Sequence, residues 1–216
     1  MKLTLSIETS SSDYGVALSA GRDLVRHQTV SRLTPGFVNV GELAAATLRE
    51  AGHGFEDLER LAVNVGPGNL GSVRAGVSYA NGLAFSLQVP VLGVDSLTLT
   101  AIQAGRPGGP PVLCVRNAGG GNIYAGLFRE GTAELMRHGP LPTVVPELAG
   151  QLPAVSVAGV FRQQVARLLP DVAVEDTGVE FPSVLTLHEV ALARWDDPSE
   201  WADFVSPLTD ASAAFQ

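Results

Sequence analysis

The first thirty residues alternate between apolar and polar side chains, as the residues of half-buried β-strands do. Residues 3–7, 14–20 and 23–30 each follow this period of two. Gly21 and Arg22 form a short connection between the second and third of these segments. The opening of the chain is therefore predicted to be a three-stranded antiparallel meander.

From residue 36 to residue 103, segments with apolar residues at helical spacing alternate with short apolar runs. Such runs are typical of buried strands. The break at Pro35 and Gly36 marks the start of the first helical segment, and Gly52 marks its end. The predicted elements are a helix at 36–51, a strand at 61–65, a helix at 71–87, a strand at 89–94 and a helix from Ser96 to Gln103.

The strongest linker signal is the Gly- and Pro-rich run at residues 106–111. After this run the same order of elements begins again. Because strands and helices alternate on both sides, we predict an α/β chain of two lobes, each a mixed sheet with helices, at residues 1–105 and 106–216. The second lobe is predicted to have strands at 112–117, 123–129, 133–138, 155–160 and 172–175, and helices within 140–152, 161–169 and 183–195.

Composition narrows the function classes. The chain carries 22 acidic and 14 basic residues, a formal net charge of -8, and Lys2 is its only lysine. A single lysine at the amino terminus argues against Schiff-base chemistry and against a P-loop lysine, since both need a positioned ammonium group. The acidic balance also argues against direct binding of a nucleic-acid backbone, which needs clustered basic side chains.

The single cysteine, Cys114, excludes an internal disulfide framework. It lies in an apolar run and is predicted to be a buried structural thiol. The amino-terminal residues lack a sustained apolar segment, and a membrane-spanning stretch is not found, so we expect a cytoplasmic protein.

Two segments have the composition of phosphate-binding loops. A polar turn follows the first strand, and a glycine-rich loop precedes the second helix. Each has a simpler interpretation, namely a hairpin whose hydroxyls bond to their own backbone and a tight turn that needs glycine. The candidate residues of this phosphate loop are Glu8, Thr9, Ser10, Gly66, Pro67 and Gly68.

The helix at 71–87 is unusually poor in side-chain bulk. Interior glycine costs a helix roughly 0.5–1 kcal/mol relative to alanine, so Gly76 and Gly82 need a packing reason. The pairs Ser72–Gly76 and Ser78–Gly82 stack small residues four positions apart, which predicts a groove for another helix. The alternative is that this helix simply covers its own sheet.

Common catalytic patterns are missing. The four histidines lie far apart, and none belongs to a helical pair that could bind zinc. The nucleophile motif G-x-S-x-G is also absent. We therefore predict neither a metal nor a cofactor.

Residues 7–19 read IETSSSDYGVALS, and residues 61–97 read LAVNVGPGNLGSVRAGVSYANGLAFSLQVPVLGVDSL. Both stretches resemble the TsaB (YeaZ) family. The resemblance implies a two-lobe actin-like fold, of the acetate kinase, Hsp70 and actin type. It also implies a non-catalytic pseudoenzyme subunit of the machinery that forms N6-threonylcarbamoyladenosine at adenosine 37 of tRNA.

Partners are implied by the same resemblance. The catalytic, metal- and ATP-binding paralogue TsaD would pair with this chain, the ATPase TsaE would bind that pair, and TsaC would supply threonylcarbamoyl-adenylate. In the absence of TsaD the chain would form a homodimer, and tRNA would be reached only through the complex. The interface would lie on helices 36–51 and 71–87, at Val38, Glu42, Ala45, Arg49, Ser72, Arg74, Ala75, Gly76, Ser78, Tyr79 and Gly82.

The chain departs from the family pattern in its loops. The usual GPGSFTGLR is here GPGNLGSVR, which keeps Arg74, and the usual D-A-R-x-x-E-V-Y segment, at residues 117–124, has lost its three charges. Two other functions remain open at this point. One is a small actin-fold ATPase or phosphotransferase that uses Glu8 and Thr9, and the other is a metallopeptidase relative of TsaD.

Overall fold

The computed structural model describes residues 3–215, which contain ten strands and six α-helices. The strands are β1 (Leu3–Glu8), β2 (Asp13–Ala20), β3 (Asp23–Ser31), β4 (Leu58–Asn64), β5 (Val91–Val94), β6 (Val112–Gly119), β7 (Asn122–Arg129), β8 (Thr132–Pro140), β9 (Ala154–Gly159) and β10 (Ala173–Asp176). The helices are α1 (Val40–Glu50), α2 (Leu70–Leu87), α3 (Ser96–Ala104), α4 (Leu141–Ala149), α5 (Arg162–Arg167) and α6 (Val184–Ala193).

The strands form two five-stranded mixed sheets with the same topology. The first sheet has the order β3-β2-β1-β4-β5, and the second has the order β8-β7-β6-β9-β10. Strands β1 to β3 form an antiparallel meander, and so do β6 to β8. Strands β4 and β5 run parallel to β1, and β9 and β10 run parallel to β6. The predicted architectural repeat is therefore present, although the two halves share no repeated sequence.

The chain divides into two compact units that exchange a helix. The first unit holds the residues up to Val94 together with Ser183–Pro207, and the second holds Asp95–Pro182 and the residues from Leu208 onward. This division differs from the predicted boundary after residue 105. Helix α3 packs on β6, β7 and β9, and helix α6 packs on β1, β2 and β4, so each sheet is covered by the helix that follows the other sheet.

Strand β1 is buried along its whole length in the first unit. Its apolar side chains Leu3, Leu5 and Ile7 are fully or almost fully buried, and alternation places Thr4 and Ser6 on the opposite face. The second unit has a separate core around β6, β7 and β9. Cys114 is buried in a second cluster of this unit, with Leu97 of α3 and Phe128 of β7. This burial confirms the predicted structural thiol and raises its pKa well above the ordinary value.

Helix α1 starts four residues later than predicted. Asn39 is its N-cap: the side chain accepts a hydrogen bond from the Glu42 N–H, and the Glu42 carboxylate accepts one from the Asn39 N–H. Val38 therefore precedes the helix. Helix α3 is capped by Asp95 and not by Ser96, because the Asp95 carboxylate accepts from the Thr98 N–H at 2.8 Å. Among the described residues, each helix is too short or too polar to cross a bilayer.

Candidate functional site

The polar turn after β1 is buried and bonded within the first unit. Glu8, Thr9 and Ser10 are all at most 2% exposed. One Glu8 carboxylate oxygen accepts a hydrogen bond from the Ser10 N–H at 2.6 Å, and the other accepts from the side-chain amide of Asn64. The Thr9 hydroxyl donates to the Ser72 carbonyl at 2.9 Å. This geometry matches the simpler of the two interpretations, a turn whose polar groups bond to neighbouring backbone and side chains.

Asn64 joins this turn to the glycine-rich loop. It ends β4, donates to the Ser10 hydroxyl at 3.2 Å and accepts from the Gly66 N–H at 2.8 Å. Gly66 and Pro67, linked by a cis peptide bond, are buried, and Gly68 is half-buried. The fold thus brings the two predicted halves of the phosphate loop together through a residue that the sequence interpretation missed. The available signal was an asparagine at the end of an apolar strand, two positions before Gly-Pro-Gly.

Ser72 and Gly76 lie on the inner side of α2. A Cβ atom at Gly76 would stand 2.2 Å from the Thr9 hydroxyl oxygen. Ser72 is 3% exposed, and its hydroxyl accepts a hydrogen bond from Arg32 at 2.6 Å. The prediction that these two residues contact a partner is therefore corrected: their small size serves the packing of α2 against the turn.

The outer side of α2 is an open face of small residues. Ala75, Ser78 and Gly82 are exposed and recur at helical spacing, and Arg74 stands beside them in the first turn. A Cβ atom at Gly82 would meet no atom within 4 Å. Phe85, three residues after Gly82, is 80% exposed and continues the same face, although the sequence interpretation did not include it. We call Ala75, Ser78, Gly82 and Phe85 the open α2 face.

Helix α1 borders this face on one side. A Cβ atom at Gly41 would lie 3.3 Å from the ring of Tyr79, which is half-buried and whose pKa is raised by that burial. Ala45, one turn after Gly41, is half-buried. The remaining predicted interface residues of this region are Val38, which is half-buried, and Glu42 and Arg49, which are exposed.

Two of the exposed arginines here form no ion pair with any described residue. These are Arg49 in the last turn of α1 and Arg74 in the first turn of α2, whereas Arg26 and Glu50 pair with each other nearby. Exposed cations without a partner in an acidic chain favour binding to carboxylates on another molecule. Across residues 3–215, we find no group of three or more His, Cys, Asp and Glu side chains placed to hold a metal ion.

Solved structures share this fold over nearly the whole chain. YeaZ from Pseudomonas aeruginosa superposes with a TM-score of 0.71 and 23% identity, over 93% of this chain and 96% of that one. A second Pseudomonas aeruginosa protein, described as similar to peptidase YeaZ, gives a TM-score of 0.73 at 21% identity, over 97% and 99% of the two chains. The two-lobe actin-like fold is confirmed.

Sequence comparison supports the predicted family resemblance. The TsaB protein of Bacillus subtilis, named for tRNA threonylcarbamoyladenosine biosynthesis, is 31% identical over 144 residues, which are 66% of this chain and 59% of that protein. The chain is similar to the TsaB (YeaZ) family. The predicted resemblance is thus confirmed.

The TsaB family is itself related to the transferase TsaD. The TsaD family model, tRNA N6-adenosine threonylcarbamoyltransferase, matches residues 37–139. The transferase of Nitratidesulfovibrio vulgaris is 34% identical over 118 residues, or 48% of this chain. The chain spans only about a third of the length of that transferase (33%).

Proposed function

We propose that this TsaB-like chain pairs with a TsaD-type transferase and activates it, without catalysis of its own, in the formation of the threonylcarbamoyl group on N6 of adenosine 37 of tRNAs. The observation that carries the proposal is the open α2 face. Glycine inside a helix leaves backbone exposed at an energetic cost, and close approach of another helix to a face of small residues compensates that cost.

The lack of catalysis is supported by the state of the polar turn. Both carboxylate oxygens of Glu8 accept hydrogen bonds from Ser10 and Asn64, and the Thr9 hydroxyl donates to Ser72. Groups engaged in this way stabilise the fold and are not presented to a substrate. The reacting groups, the metal and the nucleotide would then belong to the TsaD-type partner.

The net charge of -8 fits an indirect role on tRNA. A chain with so few cations would leave phosphate binding to its partner. The proposal also includes the ATPase TsaE as a third component, and a homodimer through the same face when the TsaD-type subunit is absent. The TsaB name of the Bacillus subtilis relative supports this setting.

Binding to a purified TsaD-type subunit tests the proposal. We expect a stable complex in size-exclusion chromatography and faster threonylcarbamoyl transfer to tRNA when this chain is added. Gly82→Leu should abolish both effects, because the new side chain would hold the partner helix away from α2. Its melting temperature should stay near that of the unsubstituted chain, since Gly82 faces open space.

Thr143→Leu is the matched control, because Thr143 is an exposed helical residue of the second unit. It should leave complex formation unchanged. Failure of the unsubstituted chain to bind active TsaD-type protein would reject the proposal. Calorimetric heat from Mg-ATP added to this chain alone would instead favour the ATPase interpretation.

A further inference from the structure

The segment after α6 crosses the first unit as a fixed strap. Ala202 pairs with Val91 of β5 in an antiparallel bridge, with N···O distances of 2.7 and 2.9 Å. We call residues 201–205 the strap. Trp201, at its start, lies beside Arg60, whose guanidinium carbon is 4.7 Å from the ring centroid. These contacts fix the start of the strap to the edge of the first sheet.

Helix α2 holds the other end of the strap. The Asn81 side chain donates to the Val205 carbonyl at 2.9 Å and accepts from the Val205 N–H at 3.1 Å. A Cβ atom at Gly93 would lie 3.1 Å from the Val205 side chain, so that side chain is seated on β5. The backbone of the strap is thus hydrogen-bonded at Ala202 and at Val205, which restricts the conformations of residues 203 and 204 between them.

An exposed phenylalanine stands on this fixed segment. Phe204 is 65% exposed, although its backbone neighbours are hydrogen-bonded to the fold. Phe85, one helical turn after Asn81, is 80% exposed. Ordering a large apolar side chain in water before binding lowers the entropy cost of docking a partner. Phe204 directly precedes Val205, the residue that Asn81 binds, so both phenylalanines lie close in sequence to this contact. We call Phe85 and Phe204 the patch, because exposed aromatic side chains are enriched at protein interfaces.

The patch continues the open α2 face. The exposed positions of α2 recur at helical spacing as Ser78, Gly82 and Phe85. Asn81 of the same helix binds the strap at Val205, so the strap lies along one side of α2. Helix α1 borders that face through Tyr79 and Gly41. The strap therefore forms the second border, and Arg74, which forms no ion pair within residues 3–215, marks the far end of the face.

We propose that Phe85 and the strap residue Phe204 are anchor residues for the TsaD-type partner, so that its docking surface extends from α2 onto the strap. This inference rests on the proposed function. The patch is continuous with the open α2 face, which favours one partner surface over both, with small or apolar residues opposite the phenylalanines. The exposed charge of Arg74 favours a carboxylate opposite it on that surface. A second copy of this chain is the competing occupant.

Isothermal titration calorimetry with the purified TsaD-type subunit tests the patch. Phe204→Ser and Phe85→Ser should each raise Kd about tenfold or more, as loss of an aromatic anchor does. Leu24→Ser is the matched control, because Leu24 is an exposed apolar residue on β3, at the opposite edge of the same sheet. It should leave Kd unchanged, and all three variants should melt near the temperature of the unsubstituted chain.

Asn81→Ala tests the position of the strap independently, because it removes both hydrogen bonds to Val205 and keeps both phenylalanines. It should raise Kd several-fold. If Phe204→Ser and Asn81→Ala keep the affinity and Gly82→Leu loses it, the strap is not part of the docking surface. The proposed function stands in that case. If Phe204→Ser and Phe85→Ser abolish a homodimer of this chain and leave the affinity for the TsaD-type subunit unchanged, the patch binds a second copy. That result overturns the proposed docking of the TsaD-type partner on the patch. No binding by the unsubstituted chain overturns both proposals.

Discussion

Gly76 and Gly82 belong to the same helix and meet opposite surroundings. A side chain at Gly76 would enter the space of the Thr9 hydroxyl, whereas Gly82 faces open space. The sequence predicts that both glycines need a packing reason, and that expectation holds for Gly76 through contact within its own unit. Spacing alone could not assign the direction of either residue, because Thr9 lies 67 positions earlier in the chain.

Alanine substitution should separate the two glycines. Gly76→Ala should lower the free energy of unfolding by about 1–3 kcal/mol, because the added methyl group overpacks the contact with Thr9. Gly82→Ala should raise it by roughly 0.5–1 kcal/mol, through better helix propensity at an open position. Urea denaturation measures both. Equal effects of the two substitutions would contradict the assigned orientation of α2.

His188 is a buried titratable residue of α6. Its Nδ1 atom lies 3.4 Å from the Ser6 hydroxyl, and no described residue hydrogen-bonds to its Nε2 atom. Burial lowers the pKa of His188 below its ordinary value. The sequence showed only that this histidine stands outside any metal motif. Its burial depends on the docking of α6 against β1, which local patterns do not reveal.

Stability should therefore depend on protonation of His188. The unfolded chain takes up a proton as the pH falls below about 6.5, while the folded chain resists protonation until lower pH. The stabilisation from neutral His188 is complete above that pH and is lost as the pH falls toward the lowered, folded-state pKa. His188→Gln should show a smaller loss of unfolding free energy between about pH 7 and pH 5 than the unsubstituted chain. Parallel pH profiles would argue against it.

The beginnings of helices show which local signals are decisive. Pro35 and Gly36 predict a start for the first helix, but the reciprocal hydrogen bonds of Asn39 and Glu42 fix it at Val40. That capping pattern was present in the sequence and could have been found. For α3, Asp95 and Ser96 are both good cap residues, and only the backbone geometry distinguishes them. The strands, by contrast, follow from apolar alternation in β1 to β3 and from short apolar runs in β4 and β5.

Removal of the α1 cap should have a measurable cost. Asn39→Ala should lower the free energy of unfolding by about 1 kcal/mol, because the Glu42 N–H loses its capping partner. Glu42→Gln is the matched control, since glutamine can accept the same bond, and it should be nearly neutral. Chemical denaturation of both variants makes the comparison. A neutral Asn39→Ala variant would mean that the first turn of α1 contributes little.

At the scale of the whole molecule, two copies of one topology exchange a helix. Helix α3 follows the first sheet and packs on the second, and α6 follows the second sheet and packs on the first. The two-lobe α/β architecture was predictable from the repeated order of elements. The exchange was not, because helical periodicity identifies the apolar face of a helix but not the sheet that covers it.

Core truncations should reveal the exchange. Leu187→Ala in α6 and Leu97→Ala in α3 remove fully buried side chains, and each should cost about 2–5 kcal/mol. Hydrogen exchange should accelerate most at β1 and β4 for Leu187→Ala, and most at β6 and β9 for Leu97→Ala. The reverse pattern, in which each helix protects the sheet that precedes it in sequence, would contradict the exchange.

The strap has one more consequence, which concerns the edge of the first sheet. Strand β5 is the last strand of that sheet, and its outer backbone groups would otherwise be available to a strand from another molecule. Ala202 occupies that position at Val91, where both bridge hydrogen bonds are already made within the chain. The same few residues that present Phe204 to a partner thus protect the sheet against intermolecular strand addition and aggregation.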